Sequence, residues 1–324
     1  MGSRIDKTIA RLQQRIEEGQ YYEAHQQLRV VAARYVKQQN YDAAINILYS
    51  GAQSLLKAGQ GGSGGDICLL LIEAYKNAEL KPDSDNKNKI TTLLRLFSPE
   101  EPSRKRFINE LSGWSAKFGQ YPAGDPELHH VIGALYAEEH EPYEAERHLV
   151  LGTRDSPEKL SELEFKWYSE DDPHTAALYA ARAILPYLLI GNVRDAMRSL
   201  QFFTTRLTET HKTLSVDTVG SVKVFPALPL LNFLSLLLQA AQKGNADMFR
   251  QLKNRYKDNL QETASWNEAL EQIGEMYFGI QVRQQTNPLL DMMGSLFGGG
   301  GSPAPPQSTS RRVQAPPPPA ADLD

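Results

Sequence analysis

One cysteine in 324 residues, Cys68, leaves no partner for an intrachain disulfide. A disulfide-stapled fold is excluded, and a reducing compartment is expected. Long apolar runs are missing as well. The longest, Leu228 to Ala241, is broken by Pro229, Asn232, Ser235 and Gln239, well short of the roughly 20 residues a membrane helix needs. The opening MGSRIDKTIARLQQRIEEG is charged throughout and has no apolar signal core. Asp6 stands where a myristoylation motif requires Ser or Thr. A net charge of −4 is the wrong sign for a nucleic-acid surface. These absences predict a soluble cytosolic protein with neither nucleic-acid partner nor direct membrane insertion.

Strand signals are also scarce before residue 213, and a helical seed recurs in their place. Its form is Gly-x-aromatic-x-x-Ala-x-x-x-Leu, as in Gly19, Tyr21, Ala24 and Leu28. The second copy, Tyr41, Ala44 and Leu48, replaces the glycine with Gln39; the third keeps only Ala145 and Leu149; the fourth is Gly191, Val193, Ala196 and Leu200. A small residue with large ones at i−3 and i+4 lets a neighbouring helix approach closely and fills the groove beside it. Tetratricopeptide-like hairpins use this device. The uneven spacing predicts an all-α fold, a degenerate tetratricopeptide-like α-solenoid of helical hairpins.

Periodicity places helices at 4–18, 21–37, 41–57, 66–80, 87–97, 103–118, 125–138, 142–152, 156–168, 173–189, 192–208, 229–242, 245–260 and 264–282. Asp125-Pro126 and Asp172-Pro173 each put an acceptor at a helix N-cap and proline at the next position. The chain divides into an N-terminal half, 1–152, a C-terminal half, 153–297, and a tail, 298–324. The tail's Gly, Pro and Ser lack apolar periodicity, which predicts disorder; its APPPPA segment fits a polyproline ligand but, as plain disordered tail, needs no partner, and the second reading is the expectation.

GQGGSGGD, residues 59–66, matches the dinucleotide fingerprint Gly-x-Gly-x-x-Gly. That fingerprint needs a preceding strand, and residues 41–58 have helical periodicity instead. An Asp at the helix start would also repel phosphate. The expected structure is a helix stop at Gly59, a hinge-like turn, and a new helix capped by Ser63 or Asp66.

Other chemistry is thinly supported. His140, Glu144 and His148 fall on one stripe at i, i+4 and i+8, but Pro142 breaks its start and no HExxH or Cys/His pair accompanies it. Solvated side chains, no metal and no cofactor are expected. The acidic SEDDPHT at 169–175 reads as a loop and helix cap, and no Ser or Cys stands in a nucleophile motif. A non-enzyme is the resulting expectation.

Two surfaces say more. On the second helix Ala24, Leu28, Val31 and Tyr35 form the predicted buried stripe. Tyr22, His25 and Arg29 lie together on another face, with residue types favoured at protein interfaces and equally compatible with an ordinary polar face. Asp66 and Glu73 make an acidic stripe at i and i+7. Farther on, Leu214/Val216 and Val222/Val224 alternate around a turn at Asp217–Ser221, which predicts one inserted β-hairpin near 213–226. A lone hairpin is marginal in water, so it must lean on its own helices or hold a partner segment.

Several blocks carry a resemblance: YYEAHQQLRVVAARYV (21–36), LLKAGQGGSGGD (55–66), FSPEEPSRKRFINELSGWSAKFGQYPAGDPELHHVIG (97–133), YEAERHLVLGTRDS (143–156) and QTNPLLDMMGSLFGG (285–299). Over residues 4–299 the chain resembles the Golgi to ER traffic protein 4 family, non-catalytic α-solenoid adaptors of the tail-anchored protein pathway. The resemblance implies an N-terminal half that docks the dimeric targeting ATPase and restrains its hydrolysis. It assigns the docking to Tyr22, His25 and Arg29, with Arg34 beside them, and the regulatory contacts to Asp66 and Glu73. It further implies a C-terminal half that clasps the N-terminal segment of a ubiquitin-like protein, which recruits the co-chaperone holding the client. Leu214, Val216, Val222, Val224 and Phe225 would contribute to that clasp. The alternative reading is a general tetratricopeptide-like adaptor that grips chaperone C-terminal peptides; the Arg and Lys residues are not spaced to build its carboxylate clamp.

Overall fold

The computed structural model describes residues 4–280, apart from Gly220, Ser221 and the side chains of Val219 and Val222. Fifteen α-helices and one hairpin make up those residues. The first group is α1 (Arg4–Glu17), α2 (Tyr21–Lys37), α3 (Tyr41–Lys57), α4 (Gly61–Asn77) and α5 (Ser84–Leu94). There follow α6 (Pro102–Phe118), α7 (Pro126–Glu138), α8 (Pro142–Leu149), α9 (Ser156–Tyr168), α10 (Ala176–Leu189) and α11 (Val193–Thr210). The last are α12 (Pro229–Lys243), α13 (Ala246–Arg255), α14 (Lys257–Gln261) and α15 (Asn267–Phe278). Met1–Gln281 form one unit, in which each helix packs on those near it in sequence, as a solenoid requires.

Chain reversal follows one rule. Gly19, Gln39, Gly59 and Glu79 all have left-handed backbones, with φ of 79°, 55°, 73° and 52°. At each, the amide of the next residue reaches back five positions, as from Gln20 to the Arg15 carbonyl and from Gln60 to Leu55. This Schellman closure satisfies the last free carbonyls of the helix. Glycine suits the position because it has no Cβ; Gln39 and Glu79 accept the same conformation with their side chains exposed.

The repeated alanines do what the pattern predicts. Ala24, Ala44, Ala145 and Ala196 are all fully buried at helix–helix contacts. Hydrogen bonds between successive layers join side chains 34 to 44 residues apart, from Lys76–Glu110 to Arg206–Glu162. On α2 the buried stripe is Ala24, Leu28 and Ala32, while Val31 and Tyr35 are half-buried at its edge.

The glycine run departs from expectation. It is the start of α4 and not a hinge: the helix begins at Gly61, Gln60 is its N-cap without a side-chain bond, and Asp66 is already in the second turn. A Cβ on Gly64 would stand 2.7 Å from Leu56 Cγ and 3.2 Å from the Leu56 backbone nitrogen. Gly64 therefore lets α4 lie against α3 backbone to side chain, and Gly61 and Gly65 leave room for Glu101 and Ser103 at the start of α6. Gly64→Ala is expected to cost about 1–3 kcal/mol through overpacking, less the roughly 1 kcal/mol that alanine gains in a helix. Thermal unfolding should fall by about 2–4 °C; an unchanged midpoint would mean that Leu56 yields freely.

Proline starts divide into two outcomes. Asp125 caps α7, accepting from the amides of Glu127 at 2.9 Å and Leu128 at 3.3 Å. Asp172 makes no side-chain cap; Pro173–Thr175 form a 3-10 turn, and α10 begins at Ala176. The long helices predicted at 245–260 and 264–282 are likewise split, the first into α13 and α14, the second by a 3-10 turn at Ala264–Trp266 before α15. No helix among the described residues is long and apolar enough to cross a membrane. The tail and the whole QTNPLLDMMGSLFGG block lie outside the described residues.

Candidate functional site

Helices α2 and α4 both pack on α3 and touch each other. Across that contact the His25 imidazole donates from Nε2 to Asp66 Oδ2 at 2.8 Å, and Arg29 Nη1 donates to the same oxygen at 3.2 Å. The carboxylate can only accept, so Nε2 carries the imidazole proton. Sequence spacing had put His25 outward on a polar face. The structure turns it inward, 12% exposed, and leaves Arg29 half exposed. Tyr22, one stripe along α2 from Arg29, is 72% exposed.

The result is a surface with a rigid ring, a guanidinium and a carboxylate that already accepts from an imidazole and a guanidinium. It can offer stacking area and directional hydrogen bonds to a protein partner. Arg34 is not brought to it; its guanidinium sits over the Tyr35 ring at 5.4 Å. Glu73 is exposed on α4, seven residues beyond Asp66.

The hairpin consists of β1 (Asp217–Val219) and β2 (Val222–Val224), antiparallel, with Val219 opposite Val222 and Asp217 opposite Val224. The link is thus Gly220–Ser221 and not the predicted Asp217–Ser221. Leu214 and Val216 precede β1 and are half-buried, as is Val224. The Val222 side chain lies outside the described residues. Phe225 is buried at the hairpin's base. Its amide donates to Asn232 Oδ1 and its carbonyl accepts from Asn232 Nδ2, both at 2.8 Å. Phe225 therefore anchors the hairpin to α12.

Beside β2, a groove of about 1230 Å³ runs between α11 and α12. Phe225, Leu231 and Leu238 form its floor, and Arg194, Arg198 and Lys223 its basic rim. Sequence reasoning missed it because its lining comes from three elements. The four-residue spacing of Arg194 and Arg198 on α11 was the one available signal.

The histidine stripe dissolves. His140 lies before α8 with a φ of 63°, and His148 is buried, not solvated. Its partner is His129, Nδ1 to Nδ1 at 2.9 Å. Among the described residues no three His, Cys, Asp or Glu are grouped to hold a metal.

The family model for Golgi to ER traffic protein 4 matches residues 38–297. Golgi to ER traffic protein 4 of Aspergillus fumigatus is 54% identical over 316 residues, spanning 92% of this chain and 91% of that protein. The Schizosaccharomyces pombe protein of the same name is 35% identical over 298 residues, 90% of this chain and 96% of its own. A human homolog is 28% identical, covering 90% and 88%. The crystal structure of C. therm. Get4 superposes with a TM-score of 0.87 at 54% identity, over 97% of this chain and all of that one.

Proposed function

From the premise that the chain belongs to the Golgi to ER traffic protein 4 family, we propose that it is a non-catalytic cytosolic adaptor for the insertion of tail-anchored proteins into the ER membrane. Its N-terminal half, 1–152, docks the dimeric targeting ATPase and restrains ATP hydrolysis. Its C-terminal half, 153–297, holds the N-terminal segment of a ubiquitin-like protein, which brings in the client-loaded co-chaperone. The observation that carries this reading is the α2–α4 contact, where half-exposed Arg29 pairs with the Asp66 carboxylate and Tyr22, two turns before Arg29 on α2, is exposed. Charged and aromatic groups so placed favour fast, salt-sensitive protein docking.

The test is binding of the purified chain to the targeting ATPase, with ATP and with ADP, at low and high salt. Tight, ATP-favoured and salt-sensitive association is expected. Absence of binding in both nucleotide states would end the reading.

The basic, apolar-floored groove between α11 and α12 is the place proposed for the ubiquitin-like partner. Because Phe225 belongs to the core, the informative change replaces 214–224 with a Gly-Ser linker and keeps Phe225. Affinity for the ubiquitin-like protein should fall about fivefold, with ATPase docking unaltered. Equal affinity in a pull-down titration would remove the hairpin from the clasp.

A further inference from the structure

A second groove lies mid-chain, where α8, α9 and α10 meet the 3-10 turn before α15, and encloses about 530 Å³. Its wall is a row of aromatic rings. Tyr143 meets Trp167 edge-on with centroids 5.7 Å apart, and Trp167 meets Tyr179 at 5.6 Å. Its floor is apolar, formed by Leu185, Pro186, Leu189 and Trp266. Two large side chains at its mouth are open to solvent, Tyr143 at 65% and Leu178 at 40% exposure. Clustered apolar exposure of this kind marks interaction surfaces.

The wall already binds a cation within the chain. The Arg182 guanidinium carbon lies 4.9 Å from the Tyr143 centroid and 4.8 Å from that of Trp167, a cation–π clasp. Glu146 hydrogen-bonds the same guanidinium, and Glu164 lies 3.5 Å from it in full burial. Burial and the neighbouring Glu146 hold the Glu164 carboxyl well above the usual range. Asp171, which accepts from the Tyr179 hydroxyl at 2.9 Å, brings a further negative charge to the groove. Glu170 and Asp172 flank it in an exposed loop. Among the described residues that line the groove, Arg182 is the cation, and Glu146 already balances it. Pro186, inside α10, has no N–H to donate to the Arg182 carbonyl.

We propose that this groove docks a basic peptide segment of a partner protein. One aromatic or aliphatic side chain of that segment inserts over Leu185 and Pro186, and a neighbouring lysine or arginine sits beside Asp171. The choice follows from charge. An acidic segment would meet Glu170, Asp171 and Asp172, whereas the groove beside the hairpin, rimmed by Arg194, Arg198 and Lys223, has the opposite sign. The two grooves therefore take different occupants.

A random dodecapeptide display library selected on the full chain tests this, with Leu178→Lys as the counter-selected chain. Enriched sequences should pair an apolar anchor with Lys or Arg within a few positions. Synthetic versions should bind about tenfold more weakly to Leu178→Lys and to Tyr143→Ala, both with wild-type circular dichroism, and more weakly at high salt. Failure to enrich over the counter-selected chain, enrichment of acidic peptides, or equal binding to both variants overturns the proposal. Sedimentation showing a dimer that Leu178→Lys abolishes also overturns it, because a second copy would then be the occupant.

Discussion

Arg29→Glu is expected to weaken association with the ATP-bound targeting ATPase at least tenfold while moving the thermal midpoint by no more than about 1–2 °C. The asymmetry comes from where the guanidinium sits. Its side chain is half exposed, and its bond to Asp66, itself 39% exposed, spans 3.2 Å. A pair that open contributes about 0–1 kcal/mol to folding. Reversal leaves the shorter His25–Asp66 bond in place and adds only a screened repulsion. In a complex the same change replaces attraction to an acidic partner surface with repulsion, mostly in the association rate. Biolayer interferometry at two ionic strengths, alongside circular dichroism, separates the outcomes. A variant that loses helicity would make Arg29 a structural residue. A variant that keeps both helicity and affinity would place the dock elsewhere.

Acidification should destabilise the protein by about 2–3 kcal/mol between pH 7 and 4.5 through one buried histidine pair. His129 Nε2 lies 3.0 Å from the Ala123 carbonyl, which can only accept, so Nε2 carries the proton. His129 Nδ1 is then bare and accepts from His148 Nδ1–H at 2.9 Å. A further proton would charge a buried ring and, on His129 Nδ1, leave two donors facing each other.

Burial first, and then the neighbouring His129, lower His148 from its ordinary 6.5 to about 4; burial also lowers His129. The unfolded chain takes up the His148 proton near pH 6.5 and the folded chain only near 4. Stability from this group is complete above the unfolded value and is lost as pH falls toward 4. Urea titrations at the two pH values measure it. His148→Phe, which keeps a ring stacked near Tyr136, should remove about 2 kcal/mol of that difference. An undiminished pH effect in the variant would exclude the pair as its origin.

What the sequence made legible was local. Alanine at the centre of each seed needs no knowledge of its neighbour to be recognised, and all four proved fully buried. Asp125 before Pro126 is equally self-contained. What stayed hidden depended on residues far apart. His25 and Asp66 are separated by 41 positions and His129 and His148 by 19, so neither bond could be read from helical spacing. The glycine run misled because flexibility and close packing select the same residue. Gly64 is explained by Leu56 on the preceding helix, a contact that periodicity cannot supply.

The left-handed turns carry a consequence for how such a chain can change length. Helices α2, α3 and α4 have 17 residues each, and a three-residue turn precedes each of them, making a block. Neighbouring blocks point in opposite directions, so gain or loss of a single block would reverse every helix after it. Gain or loss of two restores direction and puts the same faces back in line. The separation of His25 from Asp66, close to two blocks, is the mark of that rule. Insertions of one hairpin's length are the unit by which this array can grow or shrink without dismantling a site built across alternate helices.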